Sequence, residues 1–162
     1  MQRGLSVLEL LVGLALLGVV ATLAAPTFSG FVDSQRRHDT AQMLTSSLRQ
    51  ARAEAVLRNQ PVTVQALGED WSKGWRVVVS ASPGQQAWVL NEHSGYRSVK
   101  VIGNSKVASR VGFDRSGRLL DNANGTLAIC RGDSPASHYQ VVIAVTGRIT
   151  LRNDEFVSEP CA

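Results

Sequence analysis

The sequence predicts an α+β chain: one long N-terminal helix laid on an antiparallel β head. Three observations carry this. An almost uncharged run occupies Leu5 to Ala25. Ala41, Leu44, Leu48, Ala51 and Ala55 then recur at intervals of three and four, which is one apolar stripe on a helix. After Pro61 the pattern changes to short β-branched runs separated by turn residues.

In the run from Leu5 to Ala25, Glu9 is the only charged residue. Its 21 residues suit one crossing of a bilayer core, which takes about 20 apolar residues as a helix. A buried core helix is rarely apolar all round for so long. A secretory signal has a shorter apolar block, about 7–15 residues, ending in a small-residue cleavage site. The run is therefore expected to be a retained membrane helix. Glu9 is costly there, at about 2.5–3.5 kcal/mol at the centre of a bilayer by insertion scales. Two readings remain open: the carboxylate snorkels to the nearby interface, or its partner is a positive charge supplied by another chain. Gly4 sets off a short leader, Met1-Gln2-Arg3, from the run. Cutting after Gly4 would remove Arg3 and free an α-amine on Leu5, four residues before Glu9. That amine would neutralise Glu9 of a neighbouring subunit.

Gly4 followed by Leu5-Ser6-Val7-Leu8-Glu9 resembles the class III signal of type IV prepilins: glycine, cleavage, then glutamate as fifth mature residue. Most members have Phe where this chain has Leu5. The resemblance implies cleavage between Gly4 and Leu5 and N-methylation of Leu5 by a prepilin peptidase. It further implies that Glu9 serves assembly, and that the subunit passes from the inner membrane into a helical filament of other pilins. Pro26 falls where many type IV pilins kink. The expected division is a leader over 1–4, a transmembrane or filament-core helix over 5–26, and a periplasmic head over 27–162.

The 27–162 segment leaves room for one modest globular domain. The net charge of +4 and pI near 9.6 permit binding to anionic surfaces without requiring it. The two cysteines, Cys130 and Cys161, would most simply pair in an oxidising compartment; the alternative is two unpaired buried thiols. Neither cysteine spacing nor nearby histidines suggest a metal, and no cofactor is implied.

After Pro26 the helix is expected to resume and to run to about Arg58. At about 1.5 Å per residue, helix from Leu5 to Arg58 would be near 80 Å long. Asn59-Gln60-Pro61 ends it, because proline disfavours helix in the residue before it. Gln35, Arg36, Arg37, Asp39, Gln42, Arg49, Arg52 and Arg58 occupy the faces away from the stripe. The segment Ala51-Arg52-Ala53-Glu54-Ala55-Val56-Leu57-Arg58, followed by a strand at Val62, resembles the corresponding segment of the GspH/FimT family of minor pseudopilins and minor pilins. Read residue by residue, Glu54 pairs with Arg58 at i, i+4, and Ala51 and Ala55 keep the inner face thin.

Strands are expected at 62–67, 75–79, 86–90, 99–102, 126–130, 138–145 and 148–152. Pro83-Gly84, Ser116-Gly117, Asn124-Gly125 and Thr146-Gly147 mark turns. Val145-Thr146-Gly147-Arg148 reads as a tight hairpin. The strand order is not legible.

No active site is evident, and an enzyme is not expected. His38, His93 and His138 stand apart from any nucleophile or carboxylate at catalytic spacing. Trp71, Trp75 and Trp88 are either core residues, the commoner case, or stacking platforms for bases. Arg131-Gly132-Asp133 is a chance tripeptide. The basic residues are more informative. From Arg97 to Arg118 there are six, namely Arg97, Lys100, Lys106, Arg110, Arg115 and Arg118, against the single acid Asp114. Arg148 and Arg152 share one strand face with Thr150 between them, a fork for phosphates about 6–7 Å apart. FimT-type minor pilins are associated with DNA uptake through a Gly-Arg-x-Arg motif. Gly147-Arg148 matches it, but Thr150 stands at the second arginine position and Arg152 follows two residues later. A solvated charged face beside the acids Asp154, Glu155 and Glu159 is the blander reading.

The expectation is a non-enzymatic minor pilin of a type IV pilus, an initiation or tip subunit that binds DNA in its sharper form. The alternative is a GspH-type minor pseudopilin of a type II secretion system. A third reading, a membrane-anchored periplasmic enzyme or binding protein that never polymerises, gives Glu9 no role.

Overall fold

A computed structural model describes residues 6–81, 84, 86–121, 124–131, 136–153, 156–157 and 161, with the side chains of 21–29, 131, 136, 138, 156 and 157 outside the description. The chain divides into two compact units between Gln35 and Arg36. Helix α1 runs Val7–Arg58 and is helical through Pro26. Among the described residues no helix is long and apolar enough to cross a membrane. The expected span over Leu5–Ala25 includes Leu5 and the side chains at 21–25, which lie outside them.

Both ends of α1 follow from local sequence. At the start, the Ser6 hydroxyl accepts from the Leu8 amide at 3.3 Å, and the Glu9 carboxylate accepts from the Ser6 amide at 3.0 Å. Ser6-Val7-Leu8-Glu9 is thus a capping box, in which two amides that the helix leaves unpaired are satisfied reciprocally. At the end, Asn59 adopts φ 53°, its amide reaches the Val56 carbonyl, and the Gln60 amide reaches the Ala55 carbonyl. That is a Schellman stop with asparagine in the left-handed position, and Pro61 follows.

The second unit is built on antiparallel pairs. Strands β1 (Val62–Leu67), β2 (Asp70–Val79), β3 (Trp88–Ser94) and β5 (Arg110–Phe113) form one sheet in the order β3-β2-β1-β5. Strands β4 (Val99–Gly103), β6 (Gly125–Arg131), β7 (Ala136–Ile143) and β8 (Ile149–Arg152) form the other in the order β4-β6-β7-β8, and β9 (Phe156–Val157) pairs with β7. Ser72 joins the sheets, since its hydroxyl accepts from the Val101 amide at 3.0 Å and lies 3.3 Å from the Val101 carbonyl.

The helical stripe forms the inner face as expected: Ala41, Leu44, Leu48, Ala51 and Ala55 are all fully buried. They share one core with Val62, Val64, Val77, Phe113, Leu127, Ile129, Val141 and Ile143. Each large member stabilises the fold by about 1.5–3 kcal/mol through burial. Trp71 and Trp75 are core residues rather than base platforms, and their indoles donate to the Val107 carbonyl and the Ser47 hydroxyl, each at 2.9 Å. The Ser47 bond ties α1 to β2. A disulfide joins Cys130 on β6 to Cys161, with Cα atoms 5.8 Å apart.

The strands depart from expectation in four ways, the first being that β7 runs 136–143 rather than 138–145. β2 begins at Asp70, because Gly74 at φ 119° carries the pairing past a close approach to β3 that no side chain would permit. β3 starts two residues later and runs to Ser94. β5 and β9 were not foreseen.

Candidate functional site

Two turns of the same geometry carry the basic residues. In the first, the Asp114 amide donates to the Arg118 carbonyl and the Gly117 amide to the Asp114 carbonyl. In the second, the Ala144 amide donates to the Arg148 carbonyl and the Gly147 amide to the Ala144 carbonyl. Gly117 and Gly147 have φ of 76° and 79°. Each is a tight turn closed by a left-handed glycine, a geometry that suits hairpins, and each glycine is followed by an exposed arginine.

The turns pack on each other. The Leu119 amide donates to the Val145 carbonyl at 3.1 Å, and a β-carbon on Gly147 would collide with the Gly117 carbonyl oxygen. Arg52 of α1 braces both: its Nε donates to the Gly117 carbonyl at 2.9 Å and an Nη to the Thr146 carbonyl at 3.4 Å. Asp114 stiffens the first turn, with one carboxylate oxygen accepting from the Ser116 hydroxyl and from the amides of Ser116 and Arg118. The Ser116 hydroxyl bond, followed by the two amides and the Arg118 charge, holds this carboxyl below its ordinary 3.8.

Arg148, Thr150 and Arg152 are exposed on one face of β8 and its turn, while Ile149 points into the core. With Val142 of β7 and Ala144 of the turn after it they line a shallow 170 Å³ cavity. Arg148 is also a wall of a larger groove of 620 Å³, which includes Arg49 and Arg52 of α1. Arg115 and Arg118 are exposed on the turn stacked against that of Arg148, though neither lines the cavity or the groove. Other parts of the basic stretch lie elsewhere. Arg97 and Lys100 belong to β4 and the residue run before it, at the sheet edge opposite β8; three strand spacings, about 14 Å, separate those edges. Arg110 begins β5 in the other sheet. The cluster from 97 to 118 is contiguous in sequence and divided in space.

Sequence reasoning placed Arg52 among the solvated faces and missed its bracing role. Its partners lie 65 and 94 residues away. Glu54 and Arg58 pair at 2.5 Å, as the i, i+4 spacing suggests. Trp88 is half-exposed beneath the Arg58 guanidinium at 5.7 Å. The His38 ring meets Tyr139 edge-on, and His93 lies beside Trp75. Among the described residues no group of His, Cys, Asp or Glu is arranged to hold a metal. Gly4, Leu5, the His138 side chain and Gly132-Asp133 lie outside the described residues.

A long N-terminal helix whose last turns, from Ala41 to Ala55, pack on antiparallel sheets defines the type IV pilin-like class. Within it, the family model for the type II transport protein GspH matches residues 40–147, and the chain belongs to that family, one of structural pilins and pseudopilins rather than enzymes. Among solved structures, the type IV minor pilin FimU of Pseudomonas aeruginosa is similar at 26% identity and a TM-score of 0.66, covering 82% of this chain and 99% of that one. The minor pseudopilin EpsH of the Vibrio cholerae type 2 secretion system shares the fold at 17% identity and a TM-score of 0.58, covering 73% and 97%. GspH of E. coli does so at 15% and 0.55, covering 74% and 89%. No curated protein matches the chain by sequence.

Proposed function

We propose that the chain is a minor pilin of a type IV pilus, anchored in the inner membrane by its apolar run until it is cleaved at Gly4, methylated at Leu5 and assembled at the filament tip. The observation that carries this reading is the likeness to FimU, which spans nearly all of that chain at a higher identity than the pseudopilins reach. The second reading, a minor pseudopilin of type II secretion, draws on the family model itself. Disrupting the gene separates them: loss of surface pili with secretion intact supports the pilin, and the reverse supports the pseudopilin.

The fork gives the pilin a finer function, binding of DNA. Arg148, Thr150 and Arg152 present two guanidinium groups and a hydroxyl on one exposed face, and Arg115 and Arg118 extend the charge. A soluble fragment from about residue 28 is expected to shift duplex DNA at low salt. With four phosphate contacts, affinity falls roughly 100-fold between 50 and 200 mM salt. No shift at 50 mM salt ends this reading for the head.

A further inference from the structure

We propose that the 620 Å³ groove beside the last turns of α1 docks an apolar, carboxylate-bearing peptide segment of a neighbouring, different filament subunit. The floor is apolar. Val56 and Leu57 are 51% and 80% exposed, while Ala51 and Ala55 one face away are fully buried; Ala53 and Ile149 complete it. The rim is cationic, formed by Arg49, Arg52 and Arg148. Arg52 is held in place by its two carbonyl partners, so part of the rim is set before any ligand arrives. The acid of this turn, Glu54, is engaged by Arg58. Among the described residues, neither Arg49 nor Arg148 has an acidic partner and no acid lines the groove.

An apolar floor under a wholly cationic rim is complemented by apolar side chains interspersed with carboxylates. Duplex DNA would satisfy the rim and leave Val56 and Leu57 without a partner. A second copy of this chain also carries such a stretch, at 154–159, but its net charge of +4 opposes approach to a cationic rim, which favours a different subunit. The volume lies within the range of about 300–1,000 Å³ that sites for compact ligands occupy.

The inference rests on the filament reading above. It is tested with the full chain in cells that make its filament, with photoreactive benzoylphenylalanine in place of Leu57 and mapping of the crosslinked peptide. The expected adduct is with another pilin or pseudopilin subunit, in a stretch carrying Asp or Glu between apolar residues. Arg49→Glu is expected to lower the adduct about tenfold, and Arg49→Lys to keep it within about twofold. Arg49 does not belong to the fork, and retention of the Cys130–Cys161 bond reports folding of both variants. An adduct with nucleic acid, lipid, another copy of this chain or a segment without carboxylates overturns the proposal, as does indifference to Arg49→Glu. Filament fractions of the same cells separate two failures: protein in filaments without adduct sinks the groove alone, and protein absent from filaments sinks the filament reading and the groove with it.

Discussion

The carbonyl oxygen of Gly117 occupies the space that a β-carbon on Gly147 would need, so the two arginine-bearing turns meet backbone to backbone. This contact, and not the sequence separation of 30 residues between the turns, sets where Arg118 and Arg148 emerge. Gly147→Ala is therefore expected to destabilise the head more than an ordinary left-handed glycine substitution does. Gly84 is the control, with a φ of 82° and open space around its missing β-carbon. Gly84→Ala should cost about 1–2 kcal/mol from backbone strain alone, and Gly147→Ala at least ~1–2 kcal/mol more from the collision. Urea unfolding of the fragment from about residue 28 measures both, and equal losses would show the contact to be dispensable.

Arg52 supplies the third side of this arrangement. A lysine cannot reach two carbonyls with a fixed fork of donors, so Arg52→Lys is expected to lose most of what Arg52→Ala loses. Hydrogen bonds from a charged donor contribute about 1.5–3 kcal/mol, and the half-exposed position of Arg52 places its loss toward the lower end. The same unfolding experiment checks it. A lysine variant as stable as the parent would mean the bracing is incidental.

Asp114 makes the first turn sensitive to acid. Its carboxyl titrates below 3.8 in the folded chain because the Ser116 hydroxyl and the turn amides favour the charged form. A folded value below the unfolded one means that the stabilisation is fully present above the ordinary carboxylate range. It is lost as pH falls through the folded value. Asp114→Ala should lower the melting temperature by a constant amount at neutral pH, and the two curves should converge below pH 3.8. A gap that persists at the acid end would assign the effect to something other than this carboxylate.

What was legible in the sequence was local. The stripe from Ala41 to Ala55 announces its inner face because helical periodicity is a property of adjacent turns, and Asn59-Gln60-Pro61 announces the stop. The hairpin at Val145–Arg148 is equally local, and Arg148, Thr150 and Arg152 share a face because strands alternate. Strand order, the division of the basic stretch between sheet edges and the bracing by Arg52 depend on pairings across the whole chain. Nothing near Arg52 records them. β5 was missed for a different reason: it is four residues long, starts with a charge and contains Gly112, each of which weakens a strand signal. The repeated Gly-Arg at 117–118 and 147–148 was the one signal that would have linked the two turns.

Glu9 now has two explanations that mutation can separate. As the last of the four residues of a capping box it satisfies the Ser6 amide within its own chain, which gives a lone subunit a use for the carboxylate. As a charge in a filament core it would need the freed amine of Leu5 on a neighbour. Glutamine serves a capping box almost as well as glutamate but carries no charge. Glu9→Gln should therefore keep the helix start, while Ser6→Ala weakens it by about 0.5–2 kcal/mol through loss of the cap. If assembly requires the charge, Glu9→Gln should be excluded from filaments as fully as Glu9→Ala, and Ser6→Ala should be incorporated. Quantitative recovery of each variant in sheared filaments against the membrane fraction decides it. Normal incorporation of Glu9→Gln would reduce this residue to a helix cap and remove the electrostatic argument for assembly.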